Sequence, residues 1–194
     1  MSFVDIFMRE TAEIASMINV SKVERIANEL AYIKEKGGRV FVLGVGGSAG
    51  NASHMVNDLR KLCAIEAYSP TDNVPELTAR TNDEGFDTVF VEYLKTSKLH
   101  PNDAIFILSV GGGNKEKNVS VGLVKAIDYA STVGATVLGI VGRTDGYAYM
   151  QGDHVVAVPI TSIDRVTPHS EAFQGTIWHC LVSHPDLQVN KTKW

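Results

Sequence analysis

Two cysteines, six prolines and 8% aromatic residues in a chain of 194 leave several classes of protein out of reach. Cys63 and Cys180 have no paired spacing, so neither a disulfide framework nor a cysteine-rich zinc fold can be built from them. Both read as buried, reduced thiols, as in a cytoplasmic protein. No apolar run is long enough to cross a bilayer. The first twenty residues carry Asp5, Arg9, Glu10 and Glu13, and read as neither a signal peptide nor a membrane span. An excess of one charge is also missing. The net charge is −4, with Lys and Arg dispersed, so neither nucleic acid nor membrane is an expected partner. Repeats, low-complexity segments and interdomain linkers are absent too, which predicts one domain over residues 1–194.

What the chain does have is an ordinary globular composition, 44% hydrophobic and 21% charged. Its organising stretch is residues 39–62, RVFVLGVGGSAGNASHMVNDLRKL. Residues 40–43 form an apolar run that reads as a buried strand. Gly44-Val45-Gly46-Gly47-Ser48 follows, then a helix with Ala52, Met55, Val56 and Leu59 at helical spacing. Strand, glycine turn and helix bring free backbone N–H groups and a positive helix end to one point, which is an anion site.

Two helices precede this unit. The first, over residues 3–19, has an apolar stripe from Phe3 to Ile18. A capping-box pattern at Ser21 and Glu24 opens the second, which Gly37-Gly38 stops. Residues 1–37 are surplus to a βαβ unit and are expected to form an oligomer interface. Further strands are expected at residues 63–67, 103–109, 135–141 and 154–158. Helices are expected at 88–98, 116–133, 145–150 and 170–183, and a long polar connection at 68–82. Continuous apolar strands alternating with helices predict an α/β fold. It is a three-layer, doubly wound sheet of five parallel strands, flavodoxin-like, with an N-terminal helical extension. Ligands in such folds bind beyond the carboxyl ends of the strands, where both glycine-rich loops, at 44–48 and 109–115, would lie.

The first loop is not a dinucleotide fingerprint, because Ala49 stands where the third glycine belongs, and no Gly-Lys-Ser/Thr makes it a P-loop. The second, Ser109 to Lys115, adds a hydroxyl, an amide and an ammonium. Two such loops at one sheet edge point to a phosphorylated small molecule. Beside them are candidate metal ligands. His54 and Asp58 stand four residues apart on the helix that leaves the first loop. Glu171 and His179 lie on the last helix, about 80° apart around its axis and about two turns apart along it, with Gln174 between them. Two histidines and two carboxylates suit zinc or another divalent ion. A helical histidine is more often packed or solvated, and Glu171 near a helix start also suits the dipole. Spacing leaves the choice open. His100, His154 and His184 read as structural; His169 does too, though it closely precedes Glu171.

The segments LGVGGSAGNASHMVNDL, LTARTNDEGFDTVF, FILSVGGGNKEKNVSVGLVKAI, LGIVGR and VTPHSEAFQGTIWH together resemble the sugar-isomerase (SIS) domain family, and within it the phosphoheptose isomerases, over essentially the whole chain. The resemblance implies the SIS fold, a homotetramer with sites at subunit interfaces, and a cytoplasmic enzyme of heptose biosynthesis. The implied reaction interconverts sedoheptulose 7-phosphate and the corresponding aldoheptose 7-phosphate. Family positions imply zinc at His54, Asp58, Glu171 and His179. They imply substrate contacts at Ser48, Asn51, Asn82, Asp83, Ser109, Gly111, Gly112, Asn114 and Lys115. On that footing the mechanism passes through an enediol, with Asp58 or Glu171 as base and His179 as acid. Ser48, Ser109, Asn114 and Lys115 would hold phosphate, and Asn82 and Asp83 would position hydroxyls. Three residues depart from the family pattern: Val45 for asparagine, Asp58 for glutamate and Glu171 for glutamine. Alternative readings are a non-catalytic SIS regulatory protein, replication-initiator-binding or sugar-phosphate-sensing, or an isomerase of another phosphosugar.

Overall fold

In the computed structural model, which describes residues 1–192, five apolar runs form one parallel sheet. The strands are β1 (Val40–Gly44), β2 (Ala67–Tyr68), β3 (Ala104–Ser109), β4 (Thr136–Val141) and β5 (His154–Ala157). Their order is β2-β1-β3-β4-β5. The chain first moves from β1 to one side and then crosses to the other, so the switch point lies between β1 and β3. These two pair from Val40 opposite Ala104 to Gly44 opposite Leu108, which sets their two following loops side by side.

Every residue of β1 and β3 is buried, because helices cover both faces. Side chains alternate across the sheet. Val40, Val42, Ala104, Phe106, Leu138 and Ile140 enter one core with α2 (Val20–Glu35), α3 (Gly47–Cys63) and α8 (Val166–Val182). Phe41, Leu43, Ile105, Ile107 and Val137 enter the other with α5 (Val89–Thr96), α6 (Val121–Val133) and Ala148 of α7 (Tyr147–Gln151). The doubly wound, three-layer expectation is met.

Several boundaries differ from the sequence reading. The second helix is capped by Asn19, whose side chain accepts from the Lys22 N–H, not by Ser21. The capping box stands instead at Ser2 and Asp5, opening α1 (Phe3–Met17). Cys63 ends α3 rather than opening β2, and Ala64 terminates that helix in a left-handed conformation. The expected polar connection contains a 3-10 turn, Pro70–Asp72, and α4 (Val74–Asp83). No residue of α4 is fully buried and Leu77 packs only partly against a core, so little apolar pattern marks it; its signals are the Asn73 cap and Pro75 in the first turn. The helix expected from residue 116 starts at Val121, because residues 114 and 119 pair as a small antiparallel bridge. Cys63 is buried as expected, but Cys180 is exposed.

The two N-terminal helices also part ways. Val23, Ile26, Ala27, Leu30 and Ile33 bury α2 within the domain, whereas α1 buries Ile14 alone. The main polar tie of α1 is Glu10, whose carboxylate accepts two bonds of 2.7 Å from Arg165 and lies 3.0 Å from His169 Nε2. Arg165, then His169, holds the Glu10 carboxyl down to about 2. The folded value lies below the unfolded one, so this contribution is complete above about pH 4.5 and is lost as pH falls toward about 2. Glu10→Gln should therefore flatten the acid limb, with urea midpoints changing less between about pH 5 and about pH 3 than in the unsubstituted chain.

At the opposite sheet edge, buried Asp103 accepts from the Arg39 backbone N–H at 2.8 Å, the Arg39 guanidinium at 2.7 Å and the His100 N–H at 2.9 Å. One carboxylate thus ties the starts of β1 and β3. Asp103→Ala should lower stability by about 2–4 kcal/mol, read by chemical denaturation, because it strands donors that water reaches poorly.

Candidate functional site

The site is built on the seam between α3 and α8. Both helices leave the carboxyl edge of the sheet and run back along it, so they lie in the same direction. Their side chains meet as a ladder. At the first rung, the Glu171 carboxylate sits against Gly47, the first residue of α3; a Cβ there would fall 2.5 Å from a carboxylate oxygen. Gly46, with φ +62°, makes the turn into the helix. At the second rung, Gln174 Nε2 donates to Ser48 Oγ at 3.0 Å, and Asn51 Nδ2 donates to Gln174 Oε1 at 2.8 Å and to the Glu171 carbonyl at 3.0 Å. Ser48 and Gln174 are buried, and Asn51 is partly so, which shields most of this network from solvent.

The third rung holds His54, Asp58 and His179, whose potential ligand atoms all lie within 4.8 Å of one another. Asp58 Oδ2 is 3.6 Å from His54 Nε2 and 3.6 Å from His179 Nε2. Donor atoms about 2.0–2.1 Å from a tetrahedral ion stand about 3.4 Å apart, so the spacing fits. The tautomer fits too. His179 Nδ1 lies 2.7 Å from the Gly175 carbonyl, which can only accept, so Nδ1 carries the proton and Nε2 is left with its lone pair. Asp58 is 6% exposed, while both imidazoles are open to solvent. A buried oxygen flanked by two accessible nitrogens is a donor set for a borderline divalent ion.

Glu171 is not in this group. Eight residues of helix separate it from His179 by about 12 Å along the axis, and its carboxylate lies at the first rung. It lies instead beside the first glycine loop, near where an anion was expected. The other expected substrate residues divide. Ser48 and Asn51 are engaged in the second rung. Asn82 donates to Asp83 at 2.7 Å, and both are exposed at the end of α4. In the second loop, Ser109 Oγ accepts from the Gly112 N–H at 3.0 Å, which leaves its own proton free to donate. Gly111 and Gly112 continue that turn, with Gly112 at φ +72°. Asn114 and Lys115 line an adjoining cavity of about 520 Å³ with Glu116, Lys117, Asp145 and Tyr147, so its charge is mixed.

Sequence reasoning missed Trp178 and Asn57, whose N–H groups donate to the Asp58 carboxylate at 3.2 Å and 3.0 Å. The adjacency of Trp178 to His179 was the one available signal. Cys63, near the end of the seam, takes no part: burial pushes its thiol up to about 11.

Comparison with known proteins agrees with this architecture. A probable phosphoheptose isomerase of Thermoplasma volcanium is 29% identical over 153 residues, covering 75% of this chain and 74% of that protein. The phosphoheptose isomerase of Syntrophotalea carbinolica is 27% identical over 183 residues, covering 89% and 87%. The structure of a phosphoheptose isomerase from Francisella tularensis shares the fold with a TM-score of 0.78 at 21% identity, over 94% of this chain and 97% of that one. Residues 7–142 match the SIS domain, and the chain belongs to that family.

Proposed function

We propose that this chain is a sugar-phosphate isomerase, a phosphoheptose isomerase, that holds one divalent ion at His54, Asp58 and His179. It interconverts sedoheptulose 7-phosphate and the corresponding aldoheptose 7-phosphate. The observation that carries the reading is the convergence of two imidazole Nε2 atoms on one buried carboxylate oxygen, in a chain with relatives named phosphoheptose isomerases. A bound zinc ion would polarise the carbonyl and neighbouring hydroxyl oxygens and so acidify the C–H bond between them.

The residues divide the remaining work. Asp58, through the acceptor direction that Oδ1 keeps beside its Asn57 bond, takes the proton from that carbon and returns it to the former carbonyl carbon. His54 and His179 would hold the ion through Nε2, so the proton that passes from the hydroxyl to the carbonyl oxygen goes through water at the exposed imidazole face. Ser109, Gly111, Gly112, Asn114 and Lys115 hold the phosphate, and their binding energy orients the reacting end. Asn82 and Asp83 position sugar hydroxyls. Ser48 and Asn51 act indirectly, by seating α8 on α3. Glu171 faces the sugar between the two ends.

Purified protein should carry about one zinc per chain, and chelation should abolish turnover of sedoheptulose 7-phosphate until zinc is restored. His179→Ala should lower that turnover about 10²–10⁴-fold with an unchanged circular dichroism spectrum. Near-normal turnover in that variant would remove His179 from the chemistry. Metal binding with turnover of a six-carbon phosphate alone would reassign the substrate.

The same reading includes a homo-oligomer, a tetramer by family resemblance. Its support is α1, where Phe3, Val4, Met8 and Met17 are 45–66% exposed while Ile14 alone is buried. A run of large apolar side chains on one helix is a surface that association would cover. Val4→Glu with Met8→Glu should shift the mass in solution toward the monomer, as read by light scattering. An unchanged assembly would place the interface elsewhere.

A further inference from the structure

Trp178 touches every member of the His54–Asp58–His179 group, yet its side chain is buried and out of reach of a substrate. Its indole ring stands edge-on to His54 at 5.2 Å between centroids and tilted against His179 at 4.7 Å. Its Nε1–H donates to Asp58 Oδ2 at 3.2 Å. The indole nitrogen can only donate, so the direction of that bond is fixed. The other carboxylate oxygen, Oδ1, accepts from Asn57 Nδ2 at 3.0 Å. Both oxygens are therefore tethered, and the plane of the carboxylate cannot turn.

A carboxylate oxygen offers about two acceptor directions. On Oδ2 the indole fills one. The second is left for an ion shared with the two Nε2 atoms, each 3.6 Å from Oδ2. Without the indole proton the carboxylate, tied only through Oδ1 to the exposed Asn57, could pivot and offer both oxygens, or neither, to that space. We propose that Trp178 is a positioning residue: its N–H fixes Asp58 as a one-oxygen ligand, and its ring walls the two imidazoles into the orientation that the ion requires. The assignment rests on the metal-site reading above. It assigns the control of Asp58 geometry to a side chain that neither binds the ion nor meets the sugar. Outer hydrogen bonds of this kind typically govern metal affinity by 10- to 100-fold.

The test is cobalt binding, followed by its visible absorption and by competition with a chelator, in four proteins: the unsubstituted chain, Trp178→Phe, Asp58→Asn and the double variant. Phenylalanine keeps an aromatic wall and removes the donor. Trp178→Phe should weaken cobalt binding about 10- to 100-fold and alter the ligand-field bands. In the Asp58→Asn background the same change should cost less than about twofold, because Trp178 acts through Asp58. A purely structural role would lower the melting temperature of the metal-free protein and leave cobalt affinity and bands unchanged, which would overturn the proposal. Equal losses in both backgrounds would overturn it too. If the unsubstituted chain binds no cobalt, the metal site itself fails, and the proposal with it. A further readout needs no tryptophan variant. An indole N–H resonance of the unsubstituted protein should shift on zinc saturation, and the absence of any indole shift would likewise refute the assignment.

Discussion

Gln174 is fully buried, and the candidate site depends on how its amide is satisfied. A buried amide without partners costs several kcal/mol, so the chain is under strong constraint to supply them. It does so with Ser48 on one side and Asn51 on the other, residues more than 120 positions earlier. That exchange sets the register of α8 on α3. Once it is set, helix geometry does the rest. One turn beyond Gln174 comes Trp178, then His179; along α3, His54 lies one turn beyond Asn51 and Asp58 one turn further. The three potential metal ligands meet because a polar pair deeper in the seam cannot slide.

The sheet explains why the seam lies where it does. A parallel sheet buried on both faces has no open surface for a ligand, so function moves to the edge and to the helices that begin there. The pairing of β1 with β3 places the two glycine-rich turns together. Because α3 and α8 both start from that edge, they run side by side in one direction, and a molecule lying along the seam meets different chemistry at each end.

Much of this is legible in the sequence, for identifiable reasons. Runs such as AIFILS are apolar at every position, which is the pattern of a strand covered on both faces, and their ends can be read to within a residue or two. Segments without burial cannot. Only Leu77 of α4 packs against a core, and that partly, so its helix is hidden inside a polar stretch, and β2 is too short to outweigh the helix that Cys63 completes. At the site, the four-residue spacing of His54 and Asp58 by itself puts them on one face of one helix. Their meeting with His179 is a tertiary fact that no local pattern contains. Trp178 is invisible for a chemical reason. It reads as a core aromatic, and it is one, but its single polar atom is what touches Asp58.

The separation of Glu171 from the metal group has an electrostatic logic. Its carboxylate lies at the first residue of α3, where unpaired backbone N–H groups and the helix dipole favour a negative charge. Gly47 permits this approach; any larger residue would place its Cβ inside the carboxylate. The start of α3 beside the first glycine loop thus already has a carboxylate of the protein's own next to it. A substrate phosphate brought to the same point would face a like charge at close range, which costs what the helix end would otherwise contribute. The second loop is of mixed charge: Lys115 and Lys117 line its cavity with Glu116 and Asp145, and Asp128 Oδ2 stands 3.9 Å from Lys115 Nζ. Ser109 keeps a proton to donate, and Lys115 is exposed beside the adjoining cavity. The two glycine-rich turns are therefore not equivalent. On the isomerase reading, the first presents a fixed carboxylate to the sugar, and the second, whose glycine turn carries no carboxylate, receives the phosphate.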